Sequence, residues 1–161
     1  MPGPIACVAF VGKDSQPLSI LPLHDFPEEE MVMMHMALYA ALDQVDARSA
    51  HRVAAASAAT PQSFEPYLGL LCPALLNQCK DFYIFGFLSC TNIRVMVVVE
   101  DYGKPPQDAE TVMKSLFRQL YKAFVDTVCN PFFGMSASVD DSAQFKAKVV
   151  SLVESHQRAL A

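Results

Sequence analysis

Two glycine-lysine pairs, Gly12-Lys13 and Gly103-Lys104, are the first candidates for chemistry, because a glycine-rich loop that closes on lysine cradles nucleotide phosphates. The earlier glycine of such a loop would fall on Cys7 and on Val98, so both pairs read as turns. The histidines His24, His35, His51 and His156 show no H-x-x-x-H spacing and do not combine with cysteines at zinc spacing. Gly134-Met135-Ser136-Ala137-Ser138 lacks the second glycine of a nucleophile elbow and follows a helix where that motif needs a strand. Glu100 and Asp101 are adjacent, so on a strand their carboxylates point to opposite faces and cannot work as a pair. No reaction, cofactor or metal is expected from these residues, and the chain is read as a protein that is not an enzyme.

The elements that would have positioned such residues are clearer than the residues themselves. Ile93 to Asp101 is the most strand-like run, with valines stiff at the first side-chain torsion. Ile93, Val95, Val97 and Val99 share one face and Met96 and Val98 the other, so this strand needs cover on both sides and belongs near the middle of a sheet. Ile5 to Gly12 and Pro17 to Leu23 form a hairpin, and Pro17 and Pro22 push its second strand to the sheet edge. Tyr67 to Cys72 and Phe82 to Ser89 are two further strands, joined by Pro73 to Asp81.

Three helices complete the order. The first starts after Pro27 with Glu28, Glu29 and Glu30 near its positive end, and is expected to run to about Arg48. Ala47 to Phe64 is expected to be a frayed end passing into a loop. A second helix follows Asp108, with Met113, Leu116, Phe117, Leu120, Phe124 and Val128 inward, and ends at Asn130-Pro131; Lys114, Arg118 and Lys122 recur on another face as a stripe that is either solvated or meets acidic partners. A third begins near Asp141, spaced with Gln144 as a capping box. The expected architecture is α+β, a five-stranded sheet with one helix on one face and two on the other, in a single domain spanning residues 1–161.

The first helix carries more apolar surface than one sheet face requires. Met31, Met34, Leu38, Leu42 and Val45 form a core stripe, while Val32, Met33, Met36, Tyr39 and Ala40 widen the arc. The wider arc is either a broad buried face, with methionine filling gaps, or a docking surface for another protein. Asp46, placed near the carboxyl end of this helix, is unfavourable to the helix dipole and is either a turn former or a partner contact.

Composition narrows the partners. Of 161 residues 52% are apolar and 18% charged, below the usual charged share of about 25%, which leaves apolar surface available for a partner. A net charge of −5 does not favour nucleic acid or an anionic membrane. Five cysteines without a C-x-x-C pair, mostly inside apolar runs, read as buried free thiols in a reducing compartment. No apolar run reaches the roughly 18 residues of a membrane span, so membrane contact is expected only through other proteins.

Several segments carry a resemblance. Ala41-Leu42-Asp43-Gln44-Val45-Asp46, Tyr67-Leu68-Gly69-Leu70-Leu71-Cys72-Pro73, Cys129-Asn130-Pro131-Phe132-Phe133 and Gln144-Phe145-Lys146-Ala147-Lys148-Val149 occur in order across nearly the whole chain. Together they resemble the sedlin family of TRAPP (trafficking protein particle) complex subunits, and most closely its subunit 2-like branch. The chain departs from that pattern in residues 47–64 and 74–80, where it is longer. The resemblance implies a longin-like fold and a non-catalytic adaptor in a vesicle-tethering complex that exchanges nucleotide on Rab-type GTPases. It implies other TRAPP subunits as partners, the GTPase reached indirectly, and a cytoplasmic location peripheral to ER-Golgi or Golgi membranes. A free-standing longin domain regulating a membrane-fusion protein is the alternative, disfavoured because the chain ends at Ala161 soon after its last helix.

Overall fold

The computed structural model describes residues 5–12, 17–23, 25–56, 67–71, 82–89, 92–100, 109–130 and 143–160. The chain order is β1 (Ile5–Val11), β2 (Pro17–Pro22), α1 (Glu28–Ala56), β3 (Tyr67–Leu71), β4 (Phe82–Leu88), β5 (Arg94–Glu100), α2 (Ala109–Val128) and α3 (Ala143–Leu160). The strands form one sheet in the order β2-β1-β5-β4-β3, antiparallel throughout.

β5 is the middle strand, as its two apolar faces require. Val95, Val97 and Val99 belong to the core shared with α2 and α3, with Ile93 packed against it. Met96 and Val98 belong to the core on the α1 side. β2 lies at the sheet edge, where Pro17 and Pro22 are exposed and cost no ladder bonds.

The two layers are packed by different chemistry. On the α2/α3 side the filling is aromatic: Phe10 stacks on Phe124 at 5.5 Å between centroids and meets Phe145 edge-on at 5.2 Å, and Phe87 stacks on Phe117 at 5.5 Å. On the α1 side Ala6, Cys7 and Ala9 of β1 share a core with Met34, Ala37, Ala41 and Val45. A register shift of β1 against β5 between Ile5 and Cys7 turns two successive residues, Ala6 and Cys7, to this same side.

The β4–β5 connection is held by its own polar groups. The Ser89 and Asn92 amides donate to the carbonyls of Ile93 and Ser89, and the Ile93 amide donates to Ser89 Oγ at 3.0 Å. Asn92 takes φ 62°, the left-handed region that asparagine tolerates better than most residues.

Some expectations need correction. α1 does not fray at Arg48 but continues to Ala56. Alanine is the strongest helix former, and no proline interrupts the run before Pro61. Cys129 is exposed rather than buried, because it sits in the turn that closes α2, and only Cys7 among the described cysteines is a buried thiol. Val128, expected inward on α2, is the last residue of that helix and is exposed. Lys114 is not part of a uniformly solvated stripe: it pairs with Glu110 at 2.8 Å and lies over the Tyr67 ring at 5.5 Å. Arg118 and Lys122 are exposed. The loop expected over 57–64, the connection Pro73 to Asp81, the turns at Lys13 and Tyr102 to Pro106, the caps Asp108 and Asp141, Phe132, Phe133 and the Gly134 to Ser138 turn lie outside the described residues.

Candidate protein-interaction face

Between Met31 and Leu42 every residue of α1 except His35 is apolar or tyrosine, and the sheet covers only part of that circumference. Met34, Ala37, Leu38, Ala41, Leu42 and Val45 are buried, and Met31 packs at the margin of the same core. On the opposite side Val32 is 59% exposed, Met33 41%, Met36 53% and Tyr39 51%, with Ala40 partly covered. Residues 32, 36 and 39 are spaced by four and three, so they form one continuous strip on the helix surface. Scattered exposed apolar residues are ordinary, but four large ones within eight residues of one helix form a patch of the kind that marks contact sites.

This face is fixed by what lies beneath and beside it. Met31 N donates to Pro27 O at 3.0 Å and sets the first turn, while Glu28, Glu29 and Glu30 lie at the helix N-terminus, where the dipole favours negative charge. Further along, Arg94 of β5 donates from Nη2 to Asp46 Oδ1 at 2.5 Å and from Nη1 to the Gly12 carbonyl at 2.8 Å. Arg48 Nη1 donates to the Leu68 carbonyl of β3 at 2.5 Å. Two arginines therefore tie α1 to the middle of the sheet, where β1 finishes and β5 begins, and to its β3 edge.

The geometry separates the expected contact residues. Met33, Met36 and Tyr39 share the exposed face. Asp46 lies well inside a helix that runs to Ala56, so the dipole argument that singled it out does not apply. Its side chain, 46% exposed, engages an Arg94 side chain that is 11% exposed. Sequence reading missed Arg94, and an ion pair between residues this far apart in the chain leaves no local signal.

Among the described residues no group of three or more histidine, cysteine, aspartate or glutamate side chains could hold a metal ion. Among the described residues two acidic groups are displaced: burial pushes the Cys7 thiol up to about 12, and burial together with the nearby Glu110 carboxylate pushes the Tyr67 hydroxyl up to about 12. Both stay protonated at neutral pH. No described helix is long and apolar enough to cross a membrane.

A five-stranded antiparallel sheet with one helix on one face and two on the other is the longin-like α+β architecture of sedlin-type proteins. Residues 10–155 match the model of the family described as Sedlin, and the chain belongs to that family. It is similar to proteins named trafficking protein particle complex subunit 2-like protein. The relative from Dictyostelium discoideum is 30% identical over 155 residues, covering 94% of this chain and 97% of the relative. Those from Bos taurus and Xenopus tropicalis are each 29% identical over 147 residues, covering 91% of this chain and 95% of the relative.

Proposed function

We propose that this chain is a non-catalytic adaptor subunit of a TRAPP-type vesicle-tethering and Rab nucleotide-exchange assembly, acting through protein contacts in ER-to-Golgi or Golgi trafficking. The observation that carries this reading is its similarity over more than nine-tenths of its length to relatives named as subunits of a trafficking protein particle complex. The exposed strip of α1 supports it, because an adaptor needs an apolar contact surface set on a rigid element. In this role Met33, Met36 and Tyr39 make the partner contacts, and Asp46 closes the strip at its far end. The Rab-type GTPase is reached through the assembly, and so is the membrane.

Reconstitution tests the reading. Mixed with the other subunits of its own TRAPP-type assembly, the purified chain should be incorporated at fixed stoichiometry, and alone it should not accelerate nucleotide exchange on a Rab. Failure to incorporate, or appreciable exchange by the single chain, contradicts the proposal.

A further inference from the structure

The charges around the exposed strip of α1 constrain what can cover it. Between Asp25 and Ala47 the sequence contains no lysine or arginine. Asp25, Glu28, Glu29 and Glu30 stand exposed at the N-terminal end of the strip, and Asp43 stands exposed at the other. The face is therefore apolar in the middle and acidic at both ends.

That pattern disfavours a second copy of this chain. Two α1 strips packed antiparallel would set Glu28, Glu29 and Glu30 of one copy against Asp43 and Asp46 of the other, and packed parallel they would set glutamates against glutamates. Both arrangements oppose like charges across a partly desolvated contact. Laying α1 of one copy on the exposed Arg118 and Lys122 of α2 in the next joins two different surfaces, a head-to-tail contact that generates open chains unless its rotation happens to close.

We infer that α1 docks a different polypeptide whose contact surface is an apolar helix or groove with lysine or arginine at both ends. This rests on the adaptor reading and specifies the chemistry of the partner that the adaptor takes. The apolar centre supplies burial, and the acidic ends fix the direction in which the partner lies and speed its encounter.

The test uses the full chain, fluorescently labelled and titrated with the assembly reconstituted from the remaining TRAPP-type subunits. Wild-type protein should bind with a Kd that rises with salt. Met36→Asp should raise Kd tenfold or more, and Glu28→Lys with Glu29→Lys should raise it at least fivefold and flatten the salt dependence. Asp43→Lys, inside the helix and remote from the first turn, should act in the same direction and covers the case in which the glutamate variant frays α1. Arg118→Glu should bind as wild type. If the wild type binds and the α1 variants bind equally well, or the charge reversals tighten binding, this inference fails and the adaptor reading stands. If the pure chain forms dimers or polymers that Met36→Asp abolishes, a second copy is the occupant and the inference fails. If the wild type does not bind at all, the adaptor reading falls and takes this inference with it.

Discussion

Arg94 of the central strand and Asp46 of the first helix meet at 2.5 Å, joining two elements that lie on opposite sides of the alanine-rich stretch and the two strands that follow it. The same guanidinium holds the Gly12 carbonyl at the end of β1. One side chain thus fixes the helix, the central strand and its neighbour in a single arrangement. The mostly buried guanidinium makes the pair unequal, because losing Asp46 leaves a charge that water cannot fully reach.

Asp46→Ala is expected to lower the stability of the isolated chain by about 1–2 kcal/mol, more than an exposed ion pair would give and less than a fully buried one. Asp46→Asn, which keeps an acceptor, should cost less. Thermal or urea unfolding of the two variants and of the Asp46→Ala, Arg94→Met double variant checks this. A cycle showing no coupling between the two sites would remove the structural role assigned to the pair.

The β4–β5 turn depends on Asn92 at φ 62°. Asn92→Gly should fold with stability close to wild type, whereas Asn92→Val should cost about 1–3 kcal/mol, because a β-branched residue is strained in the left-handed region. Equal melting of the two variants would contradict the turn geometry.

Gly86 on β4 leaves room for Leu71 on β3: a Cβ at this position would stand 2.7 Å from Leu71 Cδ1. Leu71 is buried and cannot swing outward without disturbing the core. Gly86→Ala is therefore expected to destabilise by about 1–3 kcal/mol. Shortening Leu71 to Ala costs about 2–5 kcal/mol alone, but the double variant should be more stable than the sum of the two losses. Simple additivity in urea melts would show that the two do not meet.

The displaced thiol and phenol set an alkaline limit. In the fold Cys7 titrates at about 12, against 9.0 for an unperturbed thiol, so the unfolded chain loses this proton first. The stability tied to Cys7 is fully present below pH 9 and is lost as pH rises from there to about 12. Tyr67 acts in the same direction between pH 10.0 and about 12. Cys7→Ala should flatten the fall of stability above pH 9. In the native protein at pH 8 a thiol reagent should modify exposed Cys129 quickly and Cys7 only on unfolding. Equal reactivity of the two would contradict the burial of Cys7.

Much of the layer order was readable because each signal was local. Valines 95, 97 and 99 facing one way and Met96 and Val98 the other demanded a central strand, and Pro17 and Pro22 demanded an edge. The end of α1 was misplaced because apolar periodicity fades after Val45. The propensity of alanine, which carries the helix on to Ala56, contributes nothing to that period. The inward stripe of α1 and the width of its apolar arc were legible too, but not whether the wider arc is covered. That depends on the small residues Ala37 and Ala41 fitting against the α1 side of the sheet, which leaves the bulkier Met36 and Tyr39 outward. The Arg94–Asp46 pair was invisible, since it exists only once strand and helix are packed.

In the proposed role this chain travels as one subunit of a larger trafficking assembly. The most direct measurement is the mass of the complex that carries it in a gently prepared native extract, read by size-exclusion chromatography with light scattering and identification of the co-eluting chains. Co-elution with other TRAPP-type subunits, in a particle many times the 17.7 kDa of the chain, is the expected result. Elution of the whole population as a monomer or small oligomer, without such subunits, would contradict it.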